Sequence, residues 1–448
     1  MRRLALVWVA VGSLWGCAGL PPAATSPSSG PRTTGTTGAG SGPGTALAIL
    51  EGGVLERGLL VRAVLERNPG IEVARQAWRL AAARVAQESA WEDPMVRYDL
   101  APLSGGAGHG GRYGEVAEIS QRVAFPGKLG LRGDVAVAEA EAAREDGEAV
   151  RLDLALMASN LFDDHYVAAR SLDIQAQHLA LLEDLKRSAQ AQYAAGRAAQ
   201  QDPLEAEVEV AQLLQERIGL ETARDVIVAQ LNGLLHRPAR ALLPPPPAEL
   251  ALPTGTAEPA RDPRERDEAL EGRPELRRAD ARIRAAGSSV ALAEREYFPD
   301  FTLSGGYDSM WDMPEHRAML GIGLSLPIQL GRRRAAVDEA EARLARERRE
   351  RDRIEDAVGV EVFEARARVV AARRVLKIYE ERLLPAVSDQ VAAARSGFET
   401  GRSTFASLIE AERSQRSIAL RYHIARADLS KRLAGLERAR GRIAGGAY

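Results

Sequence analysis

The side chains that most often carry catalysis or bind metals are scarce and scattered in this sequence. Its 448 residues include six histidines and one cysteine, and no histidine pairs with another or with the cysteine at the short spacing of zinc sites. The glycine-rich run 105–111 is not followed by a helical pattern, so it does not predict a nucleotide-binding loop, and no serine stands in a nucleophile elbow. We therefore expect no catalytic site, no cofactor and no metal site, and a protein that is not an enzyme.

The single cysteine, Cys17, indicates lipid attachment instead of catalysis. Two arginines follow Met1, an apolar run covers 4–14, and the small residue Gly16 comes directly before Cys17. A basic start, a short apolar stretch and a small residue before the cleavage point are typical of a secretory signal, and a cysteine at this place matches a bacterial lipobox. We predict a signal peptide over 1–16 and lipidation of Cys17. The alternative is an ordinary signal peptide in which this cysteine has no role.

Lipid chains on Cys17 would hold the N-terminus on a bilayer, because each buried CH₂ contributes ~0.8 kcal/mol. Ala18, the next residue, resembles the sorting signal of outer-membrane lipoproteins. Residues 18–46 are mostly Pro, Ser, Thr, Gly and Ala, a composition typical of flexible segments. We therefore predict that 17–54 is a lipidated cysteine followed by a flexible tether.

The composition predicts long helices and excludes several classes of protein. The chain has 60 Lys+Arg and 62 Asp+Glu, a net charge of −2, which excludes a broadly basic protein that binds nucleic acid. Aromatic residues make up only 5%. Ala, Leu, Arg, Glu and Gln dominate after residue 130, which favours helices with small-residue seams over an aromatic core. No run after the N-terminal one approaches the ~20 apolar residues of a membrane-spanning helix.

The chain contains an internal repeat. A helical pattern that ends at a proline before a strand occurs at Pro94 and again at Pro299, an offset of 205 residues. The strand ends are marked by Pro126 and Pro327, at an offset of 201 residues, so the first hairpin is the longer one. Self-similarity over such a period indicates one structural unit used twice.

We predict two repeats joined by a linker. Repeat 1 covers 55–240 and repeat 2 covers 268–448, each with helices and two barrel strands. Between them, 241–267 contains a run of prolines and then polar residues, which is typical of a linker. Each unit is predicted to contain, in this order, a helix, two strands, a long helix, a turn and a further helix. The predicted helices cover about 55–90, 128–194, 203–236, 274–297, 332–398 and 407–440.

The long helices carry a coiled-coil pattern. From Leu154 to Leu182, seam residues alternate at spacings of four and three, the a/d positions of a heptad repeat. His165 and Gln175 lie on this seam. We expect both to be buried and hydrogen-bonded structural residues, not ligands.

Four short segments alternate apolar with small or polar residues, as strands with one lipid face and one water face do. They are 95–100, 115–123, 300–307 and 320–326. Four strands cannot close a barrel, and open sheet edges are not tolerated in lipid. Several chains would have to share one barrel, and three chains would supply about twelve strands, an even number within the known range. The alternative is a soluble hairpin that caps a coiled coil.

The order and duplication of these motifs resemble the TolC-type outer membrane efflux proteins, also called outer membrane factors. The resemblance covers about 55–440. It is carried by Asn68-Pro69, by Phe298-Pro299-Asp300-Phe301, by Leu326-Pro327 with Gly331-Arg332-Arg333, and by Gly401-Arg402-Ser403-Thr404 with Leu408-Ile409-Glu410-Ala411. Residues 125–132, Phe-Pro-Gly-Lys-Leu-Gly-Leu-Arg, further resemble the cation-efflux branch, whose members serve heavy-metal pumps of the resistance–nodulation–division (RND) class.

This resemblance implies a homotrimer that is mainly α with a small β part. A twelve-stranded β-barrel would lie in the outer membrane, and long coiled-coil helices would form an α-barrel that projects into the periplasm. The implied partners are a periplasmic adaptor (membrane fusion) protein, an inner-membrane RND-type pump and outer-membrane lipid. Metal cations or drugs would pass passively, because the pump supplies the energy. The open alternatives are the exit duct of type I protein secretion and a structural periplasmic coiled-coil lipoprotein.

Two glycine turns follow the long helices, at Gly196-Arg197 and Gly401-Arg402. Glycine at these places fits a helix C-cap in the left-handed region. In the architecture that the resemblance implies, both turns lie at the periplasmic tip, where the adaptor would dock.

The segments after these turns contain the candidate aperture residues. Asp202 with Glu205, and Ser407 with Glu410, match the capping box, an Asp or Ser N-cap followed three residues later by Glu. Pro203 fits the first helical position. The resemblance adds a second role, because acidic residues of the second repeat line the aperture in this family: Glu410 matches one such position, whereas Ser407 replaces a second acid. Three copies of Asp202, Glu205 and Glu410 would form a ring that binds cations and resists anions.

Overall fold

A computed structural model describes residues 53–102, 113–196, 199–252, 263–309, 311 and 314–444. This part of the chain is mainly helical and contains one small antiparallel sheet, which confirms the fold class predicted from the sequence. The predicted lipid site at Cys17 and the tip residue Arg197 lie outside the described residues.

The helices are α1 (Arg57–Arg67), α2 (Pro69–Glu88), α3 (Lys128–Ala194), α4 (Gln201–Leu234), α5 (Pro263–Gly272), α6 (Pro274–Arg295), α7 (Leu330–Ile378), α8 (Leu384–Glu399) and α9 (Phe405–Ala439). The 67 residues of α3 match the predicted long helix, and at ~1.5 Å per residue they extend over about 100 Å. Among the helices of the described ranges, none combines the length and the apolar composition needed to cross a membrane.

The prediction of one helix over 55–90 is wrong, because α1 and α2 meet at Asn68-Pro69. A residue before proline is disfavoured in the α conformation, and Asn68 is extended, with φ −68° and ψ 125°. The N–H of Gly70 donates to the Asn68 side chain at 2.8 Å. Pro69 takes the first helical position, where a missing N–H does no harm. The Asn-Pro pair is therefore a helix boundary.

The prediction of one helix over 332–398 is also wrong, because a π turn, Tyr379–Leu383, separates α7 from α8. Pro385, in the first turn of α8, has no N–H to donate to the carbonyl of Glu381, and its ring crowds that carbonyl. A π turn accommodates such a defect by shifting the hydrogen-bond ladder locally. The equivalent helix of the first repeat, α3, is uninterrupted.

Helix α3 is central to the packing of both repeats. It contacts α1, α2 and α4 of the first repeat and α6 and α9 of the second. The two polar seam residues are buried and hydrogen-bonded, as expected: His165 Nε2 lies 3.4 Å from the Pro244 carbonyl oxygen, and Gln175 Nε2 donates to the Leu213 carbonyl at 2.9 Å.

The beginning of the predicted linker packs on α3. Leu250 is buried in one cluster with Leu60 of α1 and Phe162 of α3. Next to this cluster, Arg57 of α1 forms an ion pair with the buried carboxylate of Asp163. Apolar packing and this ion pair together hold α1 against the middle of α3.

The sheet contains β1 (Met95–Pro102), β2 (Tyr113–Val123), β3 (Asp300–Asp308) and β4 (Ala318–Ser325), in the order β1-β2-β3-β4. All neighbours are antiparallel. Each repeat supplies one hairpin, and β2 pairs with β3 across the two repeats, with Val123 opposite Phe301. Within this sheet β1 and β4 are the outer strands, each paired on one side.

Candidate functional site

The turns that follow α3 and α8 have matching backbones. Gly196 and Gly401 both lie in the left-handed region, with φ of 71° and 69°. In the second turn, the N–H of Gly401 donates to the Phe398 carbonyl at 3.0 Å and the N–H of Arg402 donates to the Gly397 carbonyl at 2.7 Å. This pair of bonds is the Schellman motif, and it confirms the predicted glycine C-cap. Both glycines and Arg402 are exposed.

The predicted capping box of α4 is not formed. The helix begins at Gln201 with Gln200 at the N-cap, and no side chain caps it. Asp202 therefore lies inside the first turn, where a negative charge still favours the helix dipole, and Pro203 is not the first helical residue. The prediction that Asp202 is the N-cap is wrong, because the chain enters the helical conformation two residues earlier.

The predicted capping box of α9 is displaced by three residues. Thr404, not Ser407, is the N-cap of this helix. The N–H of Ser407 donates to Thr404 Oγ1 at 3.2 Å, and the Ser407 hydroxyl donates to the Thr404 carbonyl at 2.7 Å. Ser407 is thus a first-turn residue that completes the cap of Thr404, and the prediction of Ser407 as the N-cap is wrong.

The first turns of α4 and α9 belong to one packed layer. Asp202 and Glu205 are half-buried on α4. Ala206, directly after them, shares a buried cluster with Phe405 and Ile409 of α9. The structure therefore brings together the two helix starts that the sequence singled out, one from each repeat.

The carboxylate of Glu410 is exposed but paired. Its side chain is 66% exposed, and Oε2 lies 2.8 Å from Nη1 of Arg413 on the same helix. Nη2 of Arg413 lies 2.6 Å from Oε2 of Glu209 on α4, whose side chain is 4% exposed. Arg413 thus ties α9 to α4 and compensates two carboxylates. The sequence reasoning missed this bridge, although a charged Glu209 between Ala206 and Leu213 on an apolar seam was a signal for it.

A second ion pair joins the same two helices, with Nη1 of Arg416 2.6 Å from Oε2 of Glu216. His178 of α3 is buried close to both pairs, and burial, with Arg416 next in importance, lowers its pKa from 6.5 to about 4. Its Nε2 has no hydrogen-bond partner. The imidazole is therefore neutral at physiological pH, because a charged ring would be buried beside arginines.

The run 125–132 builds the junction between the sheet and α3. Lys128, the first residue of α3, is 1% exposed. Its Nζ donates to Asp300 Oδ1 at 2.8 Å and to the Phe298 carbonyl at 3.0 Å, and it lies 3.4 Å from Glu296 Oε2. These acceptors belong to the second repeat, so Lys128 fixes the start of α3 in the first repeat to the beginning of the hairpin of the second.

The partners of Asp300 complete this junction. Its carboxylate also accepts hydrogen bonds from Arg122 Nη2 at 3.1 Å and from the Phe125 N–H at 3.0 Å. The Phe125 ring stacks on Phe298, with centroids 4.6 Å apart and an interplanar angle of 17°. The run that resembles the cation-efflux branch therefore has a structural explanation in this chain: it holds a helix onto the sheet.

The sheet has one apolar and one polar face, which the predicted alternation requires. The residues that share the apolar face are Val96, Tyr98, Leu100, Ile119, Leu303, Tyr307, Leu320, Ile322 and Leu324, and they are 46% to 95% exposed. The opposite face is mainly polar and carries Arg97, Asp99, Glu118, Ser120, Thr302 and Ser304, together with Met95, Val116 and Met319. Glu115 and Gln121 are polar residues on the apolar face. On the polar face, Arg97 Nε pairs with Asp99 Oδ2 at 2.7 Å.

Metal ligands do not converge anywhere in the described ranges: no group of three or more His, Cys, Asp or Glu side chains there could hold an ion. His316, a possible isolated ligand, is exposed and packs edge-on against Trp311, with centroids 6.0 Å apart.

Comparison with known proteins identifies a family and solved structures that are similar to most of the chain. The family model described as outer membrane efflux protein matches residues 60–236 and 266–442, well over half of the 448 residues. No curated protein sequence matches significantly.

Solved structures share the fold at low sequence identity. A membrane protein from Pseudomonas aeruginosa has a TM-score of 0.75 and 21% identity, covering 88% of this chain and 92% of that chain. The open state of the MtrE outer membrane channel of Neisseria gonorrhoeae has a TM-score of 0.72 and 18% identity, covering 86% and 89%. The outer membrane protein VceC of Vibrio cholerae has a TM-score of 0.72 and 16% identity, covering 86% and 95%.

Proposed function

Because the chain belongs to the outer membrane efflux protein family, we propose that three copies form the outer-membrane channel of a tripartite efflux system. Metal cations or drugs would enter from a periplasmic adaptor and an inner-membrane RND-type pump and leave to the outside. The channel performs no chemistry, and the pump drives transport.

The observation that carries this proposal is the two-faced sheet. Leu320 and Ile322 of β4 are 95% and 76% exposed, and Val96 of β1 is 74% exposed, all on one face. A soluble hairpin that caps a coiled coil would place such side chains against the helices, because exposed apolar surface is costly in water. An apolar face, a mainly polar face, and two outer strands that each pair on one side only within the described sheet support a barrel in lipid that is closed by further copies.

The tip turns are the surface that we assign to the adaptor. Gly401 and Arg402 are exposed, and Gly196 is exposed in the turn of the first repeat. The predicted docking residue Arg197 completes this set. Two similar turns per chain give six similar turns in a trimer, which suits a partner that meets all of them around one axis.

The residues that we assign to the aperture are Asp202, Glu205, Ser407 and Glu410. The contact of Glu410 with Arg413 at 2.8 Å refines this assignment. An arginine beside the exposed carboxylate lowers the negative charge of the ring, so cation attraction would depend on Asp202 and Glu205 more than the sequence suggested.

Lipidation of Cys17 would add an anchor beside the barrel. Mass spectrometry of the mature N-terminus tests this part of the proposal, because a processed and acylated Cys17 has a mass that an ordinary cleaved signal peptide does not give. A Cys17→Ser variant serves as the unmodified control.

Two measurements test the channel itself. The full chain, purified from outer membranes in detergent, should have the mass of a trimer by light scattering, and it should conduct ions when inserted in planar bilayers. A monomer without conductance would contradict the proposal and favour a structural periplasmic coiled-coil lipoprotein.

Cargo is tested in cells that lack their own outer-membrane channel and carry this chain with its cognate adaptor and pump. Growth on metal salts and on dyes or antibiotics is compared with the empty-vector strain. A gain of metal tolerance would identify metal cations as the transported substrate, and a gain of drug tolerance would identify drugs. Release of a protein substrate without either gain would instead favour type I secretion.

A further inference from the structure

A groove with charged walls follows the layer of helices formed by α3, α9 and α7. Helix α9 contacts both α3 and α7. Two adjoining hollows, of about 450 and 290 Å³, lie along this layer. They share Arg368 of α7 and Asp428 and Arg432 of α9. The two hollows therefore form one continuous groove, called the charged groove below.

Helix α9 shows that the charged groove faces away from the linker. On one side of this helix, Arg426 Nη2 donates to the Leu250 carbonyl of the linker at 2.9 Å. Gly435 lines the charged groove and comes nine residues after Arg426. Nine residues make about 2.5 turns of an α-helix, so Arg426 and Gly435 lie on opposite sides of α9.

Helix α7 gives the same result. On one side α5 covers it, with Arg266 Nη2 3.6 Å from Glu355 Oε1. Glu364 lines the charged groove and comes nine residues after Glu355, which again places the two residues on opposite sides of the helix. The linker and α5 therefore lie on one side of the layer, and the charged groove lies on the other.

In the proposed channel, one side of this layer faces the tunnel and the other faces the periplasm. Three copies of the linker and of α5 inside the tunnel would obstruct it, whereas the charged groove leaves room for cargo. The charged groove therefore faces the tunnel, and three copies of it surround the lumen at one level.

Two ion pairs of the same kind stand on neighbouring helices of the charged groove. On α7, Nη2 of Arg368 lies 2.7 Å from Oε2 of Glu364. On α9, Nη2 of Arg432 lies 3.0 Å from Oδ1 of Asp428. In both pairs the acid precedes the base by four residues, the favourable order on a helix. Each helix thus cancels its own acidic charge where it faces the lumen.

The other charges of the charged groove are also paired. Glu361 Oε2 of α7 lies 2.9 Å from Nη2 of Arg273. Lys431 and Arg438 of α9 form ion pairs with two aspartates of α3. Within the described residues, every carboxylate that lines this groove therefore has a basic partner. A metal cation could bind there only by displacing an arginine.

The charged groove also contains an apolar strip, lined by Ala371, Ala372 and Val375 of α7 and by Ala425 of α9. The side chain of Val375 is 47% exposed. Such a strip offers contacts to the apolar body of an organic molecule. It offers no ligand atoms to a metal ion, which needs oxygen, nitrogen or sulfur donors.

We propose that Arg368 and Arg432 are specificity-determining residues, which cancel the acidic charge of the lumen at this level so that the tunnel accepts organic molecules of either charge and does not favour metal cations. This inference rests on the proposed channel and narrows its cargo to drug-like organic molecules. Rings of unpaired charge select ions in pores, and six paired arginines in a trimer leave no such ring of free carboxylates here.

Ion selectivity of the full-length trimer in planar bilayers tests this inference. The aperture is first made neutral with Asp202→Asn, Glu205→Gln and Glu410→Gln, so that the tip adds no preference of its own. K⁺ and Cl⁻ should then permeate about equally. Adding Arg368→Gln and Arg432→Gln should raise the K⁺/Cl⁻ permeability ratio about threefold or more, because a change of ~1 kT in the lumen potential alters ion concentrations by about that factor.

Two further variants of the aperture-neutral channel test the sign and the location of the effect. Glu364→Gln with Asp428→Asn should shift the preference towards Cl⁻. The matched control, Arg266→Gln with Arg442→Gln, removes two arginines of similar exposure, 57% and 55%, at α5 on the covered side. It should leave the ratio unchanged, because at about 0.1 M salt the Debye length is ~10 Å, about the thickness of one helix.

Block by Zn²⁺ distinguishes paired from free carboxylates. Added Zn²⁺ should leave the conductance of the aperture-neutral channel unchanged. After Arg368→Gln and Arg432→Gln are added, Zn²⁺ should reduce the conductance, because the carboxylates of Glu364 and Asp428 are then free to bind it. Light scattering of each variant checks that the trimer is still assembled.

The outcomes separate this inference from the proposed function. A cation preference that persists in the aperture-neutral channel, an unchanged ratio after both arginines are replaced, or an equal shift in the control variant would overturn the inference and leave the channel intact. A gain of metal tolerance without drug tolerance in cells would also overturn it. A monomeric chain that does not conduct would overturn both.

Discussion

Lys128 Nζ lies 2.8 Å from Asp300 Oδ1, and both side chains are almost fully buried. The pair joins the first residue of α3 to the first residue of β3, which come from different repeats. Both residues lie where the strands pass into the helices, so this contact fixes the start of a helix about 100 Å long against the sheet. The Asp300 carboxylate also accepts hydrogen bonds from Arg122 Nη2 and from the Phe125 N–H.

Breaking this junction should be costly. Lys128→Met leaves Asp300 buried without its main partner, and loss of one member of a buried ion pair typically costs about 3–5 kcal/mol. The expected result is a trimer that dissociates at clearly lower temperature and a lower yield in the outer membrane. Adding Asp300→Asn to Lys128→Met should recover part of the loss, because the buried negative charge that has lost its ammonium partner is removed. A double variant less stable than Lys128→Met alone would contradict this account.

The bridge made by Arg413 should restrain the tip. Arg413→Ala leaves the buried carboxylate of Glu209 without its partner, a loss of about 1–3 kcal/mol for an unsatisfied buried group. Because one of the two described ion pairs between α9 and α4 is then missing, we expect larger single-channel conductance in planar bilayers.

The matched control for Arg413→Ala is Arg416→Ala, which removes a pair to the half-exposed side chain of Glu216. Exposed partners remain solvated when unpaired, so its conductance should change less. Equal conductance in the Arg413→Ala variant and the wild type would refute a restraining role for the bridge.

His178 should make the tip sensitive to acid. Its pKa is about 4 in the folded chain, against 6.5 for an exposed histidine. Between these values the unfolded chain binds a proton that the folded chain does not, so stability is unaffected at neutral pH and falls as the pH drops from 6.5 towards 4. The full effect is roughly 3 kcal/mol per chain.

The measurement is the difference in thermal transition between the wild type and His178→Gln from about pH 7 to about pH 4. Gln keeps a polar side chain but cannot be protonated. The wild type should lose stability faster than the variant in acid. Parallel pH profiles would show that another group is responsible.

Gly401→Ala isolates the backbone contribution to the tip turn. A Cβ at Gly401 would meet no atom within 4 Å, so the left-handed φ of 69° is what penalises alanine. The expected cost is about 1 kcal/mol. Gly219→Ala in the exposed middle of α4 is the control, because its Cβ also meets no atom within 4 Å but its helical backbone favours alanine. We expect lower stability and weaker adaptor binding only for Gly401→Ala.

Several features could be predicted from the sequence because they depend on local patterns. The bounds predicted for the long helix, 128–194, are those of α3, because no proline lies between Pro126 and Pro203 to end the helix earlier. The prolines before and after the strands stand at matching places in the two halves of the chain, so they identify the internal repeat. The left-handed glycines could be predicted because few other residues adopt positive φ.

Other features could not be predicted, because the same residues are compatible with several local structures. Ser407 with Glu410 satisfies the capping-box pattern, yet Thr404 caps α9, since the path of the preceding turn decides where helical geometry begins. Pro385 lies inside a helical pattern, and the sequence does not tell whether the helix stops, bends or passes through a π turn.

By itself the sequence determined the duplicated unit, the lengths of its elements and the alternation of its strands, because these depend only on the spacing of residue types along the chain. Only the tertiary structure decided which distant charges meet: Lys128 with Asp300, and Arg413 with Glu209. Spacing records which face of an element a side chain occupies. It does not record which element packs against that face, and a buried charge is stable only if the opposite charge is placed there.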